Sequence, residues 1–136
     1  MDHEAMCRLI HEARVGRLAT VTADGLPHVV PCCFVVDGDI VYSAVDDVKP
    51  KSSMRLARVA NVEAHPAAAL LLDHYDEDWA RLWWIRLDGR VRVIDADGLD
   101  AERPRQLLAD KYDQYRRKPP PGPVLALTIE RCRAWP

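Results

Sequence analysis

The sequence predicts a small α+β domain, mainly β. Six or so antiparallel strands curl into a barrel, with two or three helices inserted between them. Three observations carry that expectation. Short apolar runs are separated by turn signals, "ADG" at 23–25 and "DGD" at 37–39, so the first three strands should form an antiparallel meander. The stretch "RLWWIRLDGRVRVID" (81–95) alternates apolar and polar residues and keeps its phase across Gly89. Helical spacing is confined to segments near 2–14, 52–61 and 98–117.

Taken in order, residues 2–14 place Met6, Leu9, Ile10 and Ala13 on one helical face. "GRLATVT" (16–22), "LPHVVPCCFVV" (26–36) and "IVYSA" (40–44) follow as strands. Proline has no N–H to give to a ladder, so Pro31 implies an edge position or a bulge in the second strand. Ser52 or Ser53 caps a helix that carries Met54, Leu56, Val59 and Ala60 to about Asn61. His65-Pro66 closes it, and "AAALLLD" (67–73) reads as a short, fully buried strand. In 81–95, Trp83, Ile85, Leu87, Val91 and Val93 face a core, and Trp84, Arg86, Asp88, Arg90 and Arg92 face away from it. Gly89 suits a hairpin turn, but the unbroken phase fits better with one long strand bent at the glycine.

A helix over 98–117 has Pro104 either in its first turn or dividing it, and "KPPPGP" (118–123) makes a rigid extended linker. The last strand, 124–135, sets Leu125, Leu127, Ile129 and Arg131 opposite Val124, Ala126, Thr128 and Glu130.

The 136 residues suit one domain with a real core, and 49% hydrophobic with 29% charged residues is globular composition. A net charge of −2 argues against general binding to nucleic acid or to an anionic membrane surface. No run has the length needed to span a bilayer, and "MDHEAMCRLIHEAR" is acidic and amphipathic, unlike a signal peptide. The expected location is the cytoplasm. Cys7, Cys32, Cys33 and Cys132 show no CxxC spacing. Adjacent Cys32 and Cys33 point to opposite faces of a strand, which suits neither a mutual disulfide nor joint metal ligation, so buried reduced thiols are expected. The acidic run "DHYDEDW" (73–79) reads as a solvated or Arg-paired loop rather than a metal site.

One segment breaks a rule. "KPKSSMRL" (49–56) places Lys49, Lys51 and Arg55 at the start of a helix, where unpaired N–H groups already favour anions over cations. Cations there make sense if a phosphate or similar anion completes the site. The alternative is a solvated cluster in which Asp46 and Asp47 pair with the lysines. There is no G-x-G-x-x-G after a strand and no Walker loop, so the standard nucleotide fingerprints are absent.

Three segments together resemble a known family. "GRLATVTADGLPHVVPCCFVVDGDIVYSAVDDVKPK" resembles the opening of the pyridoxamine 5′-phosphate oxidase-like split β-barrel flavoproteins, and "LARVANVEAHPAAALLLDHY" resembles the helix and strand that follow there. "DHYDEDWARLWWIRLDGRVRVI" is similar to the branch of deazaflavin (coenzyme F-420)-dependent oxidoreductases found mainly in actinobacteria. The resemblance covers roughly residues 5–131 and rests on the order and spacing of these segments. It implies a six-stranded split barrel (the FMN-binding split barrel) and a homodimer with two cofactor sites at its interface.

It also implies an oxidoreductase that transfers a hydride between reduced F-420 and an unidentified organic acceptor. On that resemblance Lys49 and Lys51 hold the cofactor phosphate, with Ser52 and Arg55 beside them. The serines stand where many relatives carry Arg or Thr, so the phosphate contacts differ in detail. Pro31, Cys32 and Cys33 match the strand whose backbone borders the ring, and a plain core strand with a bulge is the alternative for their side chains. Ser43 is a candidate donor to ring or phosphate. Trp79, Trp84 and Arg86 are candidates to line the interface and cover the cofactor, while Trp83 reads as core. His74 and Tyr75 are candidate proton donors, with a structural role as the alternative. No Ser-His-Asp, Cys-His or paired-carboxylate arrangement stands out, as suits chemistry carried by a cofactor. FMN is the alternative cofactor, and a non-catalytic flavin- or deazaflavin-binding protein is the alternative function.

Overall fold

The computed structural model describes residues 1–45 and 53–136, and of 53–56 the backbone alone. Helix α1 (His3–Glu12) is started by Asp2, whose carboxylate accepts from the Ala5 N–H at 2.7 Å. Its apolar face, Met6, Leu9, Ile10 and Ala13, packs on the core as the spacing predicts. Strands β1 (Gly16–Val21), β2 (Pro27–Cys32), β3 (Val35–Asp37) and β4 (Ile40–Ala44) follow, then α2 (Ser53–Ala64), β5 (Ala67–His74) and β6 (Trp83–Ile94). Helices α3 (Glu102–Lys111) and α4 (Asp113–Arg117) precede β7 (Val124–Trp135). No helix among the described residues is long and apolar enough to cross a membrane.

All seven strands form one antiparallel sheet in the order β2-β1-β5-β6-β7-β4-β3. The expected second strand, 26–36, is two strands lying at opposite edges of that sheet. β2 pairs only with β1 and β3 only with β4, so the expected hairpin between second and third strands exists for β3 alone. From Cys32 to Val35 is three residue steps, which reach at most roughly 11 Å. The sheet therefore has to curl until its edges meet at Cys33–Phe34, and this closes the barrel. Pro31 sits on edge strand β2, where its missing N–H costs no ladder bond.

Inward-facing residues of every long strand fill the interior: Leu18, Cys32, Phe34, Val41, Leu70, Leu72, Ile85, Leu87, Val91, Leu125 and Leu127. β5 is an alternating strand rather than a fully buried one. Only Leu70 and Leu72 are buried, because the other face of this part of the sheet carries no helix. Pro104 lies in the first turn of α3, and the helical stretch breaks at Tyr112, which is extended (φ −119°, ψ 123°). Arg105 pins the proline linker by donating to the carbonyls of Ala96, Pro120 and Gly122.

The bend in β6 comes from contact with β7. Asp88 pairs with Arg131 and Gly89 with Ile129, so Glu130 is the extra residue of a bulge. A Cβ on Gly89 would lie 1.8 Å from the Thr128 carbonyl oxygen, so no side chain fits there. The extra residue shifts the alternation of β7 by one. Arg131, expected to share a face with Leu125, Leu127 and Ile129, is exposed, and Cys132 and Ala134 pack on the core in its stead. Gly89→Val is expected to destabilise the fold by on the order of 3 kcal/mol or to prevent folding, read as the midpoint of urea unfolding.

Candidate functional site

The strand register places one row of side chains across the uncovered face of the sheet: Pro31, Arg17, Leu71, Arg86 and Arg133 are successive cross-strand neighbours. The next row is Val29, Ala19, Ala69, Asp88 and Arg131. Small residues at 19, 67 and 69 leave a trough between the larger ones, and it is one groove of about 740 Å³. Its apolar wall is Leu71, Leu82, Trp83, Trp84 and Trp135, and Arg17 and Arg86 bring its cations. The groove continues past Arg86 along Ala67, Ala69 and Asp88 toward Arg131.

The charges here are held in place. Arg86 donates twice to Asp88, Nε to Oδ1 at 2.8 Å and Nη2 to Oδ2 at 3.1 Å, and Arg131 Nε reaches the same Oδ2 at 3.2 Å. The Arg86 hydrogen bond, against the raising effect of burial, holds the Asp88 carboxyl below its ordinary range, with Arg131 adding to it. Two guanidiniums thus share one carboxylate, and the cluster keeps one positive charge in excess. Arg17 pairs with Asp73 at 3.2 Å, both about half exposed, so that pair aims Arg17 more than it stabilises the fold.

The sequence-predicted residues distribute as follows. Trp84 and Arg86 line the groove together, and Pro31 stands at the end of the Arg17 row. Trp83 packs on the core and also borders the groove, where it stacks on His74 with centroids 6.4 Å apart. His74 Nε2 is 3.7 Å from Asp76, so the ring is oriented at the groove wall, and Tyr75 lines the wall beside it. Trp79, in a 3-10 turn at Trp79–Arg81, is 70% exposed and stands outside the groove lining.

Cys32 turns its side chain into the core, so only its backbone can border a ligand. Of the four cysteines it alone is buried, and none is in a disulfide. Ser43 is buried and spends its hydroxyl hydrogen on the Cys33 carbonyl at 2.9 Å, tying β4 to the barrel closure. Lys49, Lys51 and Ser52 lie outside the described residues, as does the Arg55 side chain.

Sequence reasoning missed Arg17, Leu71, Tyr75 as a wall residue, and Trp135. The signal for Arg17 was present: in "GRLATVT" it alternates with Leu18 and shares a face with Ala19. Two buried polar atoms stand out besides. Arg58 Nε on α2 and His28 Nδ1 on β2 are buried and have no hydrogen-bond partner among the described residues. A buried guanidinium N–H is costly to leave unanswered.

Cys33 packs against Ala44, Leu108, Tyr112 and Tyr115, at the center of a clamp on the barrel closure. The Tyr112 hydroxyl accepts from the Phe34 N–H at 3.1 Å and shares its hydrogen between the Arg14 and Phe34 carbonyls at 3.0 and 3.1 Å. Lys111 Nζ donates to the Phe34 carbonyl at 2.9 Å and sits 3.9 Å from the center of the Phe34 ring. Burial, aided by the Arg14 charge, pulls the Lys111 ammonium down to about 8, and burial pushes the Tyr112 hydroxyl up to about 12.

A match to the family model of pyridoxamine 5′-phosphate oxidase extends over residues 2–136. The chain belongs to the pyridoxamine 5′-phosphate oxidase family. No curated protein matches the chain. Among solved structures it resembles the conserved hypothetical protein Rv2991 of Mycobacterium tuberculosis, with a TM-score of 0.78 and 17% identity, over 99% of this chain and 84% of that one. It resembles the heme storage protein HutZ of Vibrio cholerae at 0.76 and 13%, over 98% and 92% of the two chains. A FAD-binding protein of Mesorhizobium loti matches at 0.71 and 20%, over 98% and 94%. These likenesses establish the split-barrel fold, which the sequence had pointed to. Proteins of this fold bind flavins such as FMN or FAD.

The clamp predicts a pH signature. Folded Lys111 binds fewer protons than the unfolded chain between about 8 and the ordinary 10.5, so its contribution to stability rises with pH across that window. Folded Tyr112 stays protonated between the ordinary 10 and about 12, so its contribution falls there. The urea midpoint should therefore climb from pH 8 to about 10 and then drop. Lys111→Met should flatten the climb and Tyr112→Phe the drop.

Proposed function

We propose that this chain is an F-420-dependent oxidoreductase that transfers a hydride between reduced deazaflavin and an organic acceptor, acting as a homodimer with its sites at the interface. One observation carries the reading: the 740 Å³ groove is walled by three tryptophans and two leucines and carries arginines at fixed positions. A flat aromatic ring system stacks on such walls, and phosphate or carboxylate groups answer the arginines. On this reading the lysines of the basic segment 49–55 answer the cofactor's phosphate. Bound deazaflavin would supply the hydride chemistry, and the protein's own residues supply position and a dry surface.

On this reading Trp84 and Leu71 contact the ring face, and Arg86 is held by Asp88 at one orientation beside it. Asp88 neutralises much of that charge, so Arg86 orients more than it attracts. Attraction then falls to Lys49 and Lys51. The second copy covers the open face, where Val29 is 61% and Trp135 45% exposed.

FMN binding, with or without turnover, is the runner-up. His74 gives the groove one imidazole, so heme is a further ligand to test.

The test is parallel titration of apo-protein with F-420, FMN and hemin, followed by fluorescence and absorbance. F-420 should bind in preference, and Lys49→Ala or Lys51→Ala should each weaken it roughly tenfold or more, the value of a charge-assisted hydrogen bond. FMN preference would move the reading to the runner-up, and binding of none would leave the fold without this function. Sedimentation should give a dimer that Trp84→Glu converts to monomer. A wild-type monomer would sink the interface.

A further inference from the structure

Four soft donors lie together far from the groove in chemistry and serve none of the roles above. His3, Met6 and Cys7 occupy positions i, i+3 and i+4 of α1, one helical face. The β7 bulge turns Cys132 inward to meet that face. Met6 Sδ is 3.4 Å from Cys132 Sγ, and Cys7 Sγ is 3.5 Å from His3 Nε2. The two pairs adjoin through the neighbouring residues 6 and 7, and Cys7 is within electrostatic reach of the Cys132 thiol. The sulfurs are partly buried and His3 is exposed, so the cluster is open to solvent on one side.

Among the described residues no three His, Cys, Asp or Glu side chains converge to hold a metal ion, so a divalent ion that needs a tetrahedral or octahedral shell has no site here. Thiol and thioether sulfurs select instead for a soft monovalent ion, which is satisfied by fewer donors. We propose that Met6, Cys7 and Cys132 form a binding site for one thiophilic monovalent cation, Cu(I), with His3 beside Cys7 at its solvent side. Binding replaces the thiol hydrogens of Cys7 and Cys132 by bonds to the metal and releases those protons to water, with no change of oxidation state. Because both thiols must lose their protons to bind, affinity falls as pH is lowered. The bound ion would staple α1 to the end of β7.

The test uses the full chain, reduced and metal-free, with Ag(I) as a redox-inert probe and Cu(I) in competition with bicinchoninate. With methionine methyls labelled by carbon-13, the three methionines give three signals. One equivalent of Ag(I) should shift the Met6 methyl and leave Met1 and Met54 in place. Met6→Leu, which keeps the packing volume, and Cys132→Ser should each weaken Cu(I) binding roughly tenfold or more, while Cys33→Ser leaves it unchanged. An unshifted Met6 methyl under saturating Ag(I) would overturn the site. So would equal weakening by Cys33→Ser, which would mean indiscriminate thiol metallation.

Discussion

The structure depends on one short link, Cys33–Phe34, where the two edges of the sheet are made to meet. A seven-stranded antiparallel sheet left open would expose two unpaired edges, a liability in any small domain. Here the chain itself carries β2 into β3, and the junction is fixed by groups from three distant segments. Arg14 comes from the loop before β1, Ser43 from β4, and Lys111 with Tyr112 from the end of α3. The Phe34 N–H and carbonyl are both satisfied by side chains, as a buried non-ladder peptide requires. Desolvating Lys111 is the cost of this closure, visible in its lowered proton affinity. Helix α3 is thus part of the barrel's construction rather than an ornament upon it.

Closure determines what the outer face can be. With α3 and its preceding turn packed over Tyr42, Ile94, Val124 and Ala126, the start of β7 is buried on both faces. The face of β1, β5 and β6 has no such cover, and its side chains set a groove in place of a second core. The bulge at Asp88/Gly89 adds the second constraint. By shifting the phase of β7 it brings Arg131 out to share Asp88 with Arg86 and leaves Trp135 beside Trp84. One backbone contact, the Gly89 approach to Thr128, therefore sorts which arginine and which tryptophan reach the groove.

Much of this was legible in the sequence. The unbroken alternation through Gly89 identified β6 as one bent strand, because packing dictates phase and glycine marks close approach. Trp84 and Arg86 followed from that phase. The splitting of 26–36 was not legible, since the apolar run is continuous and nothing local at Cys33–Phe34 marks a change of partner. Barrel closure is a long-range demand, met by side chains such as Tyr112 that lie 78 residues away. The phase of β7 was hidden for a like reason: the bulge residue Glu130 is ordinary in itself, and the glycine that requires it sits on another strand. Arg17 was legible too, on the outer face of "GRLATVT" that it shares with Ala19.

The electrostatics divide the surface into two parts with different work. In the groove each described cation has a carboxylate partner, Arg17 with Asp73 and Arg86 with Asp88, so charge there is oriented but largely compensated. Compensated charge beside tryptophan faces discriminates shape and ring polarity more than it contributes affinity. On α2, by contrast, Arg58 keeps a buried Nε that has no partner among the described residues. The register sets Arg58 apart from that groove: Asn61 of the same helix donates to Thr20, whose side chain lies on the opposite face of β1 from Arg17 and Ala19. The proposed cofactor class therefore rests on the groove alone, where oriented arginines stand beside tryptophan faces on which a flat ring can stack.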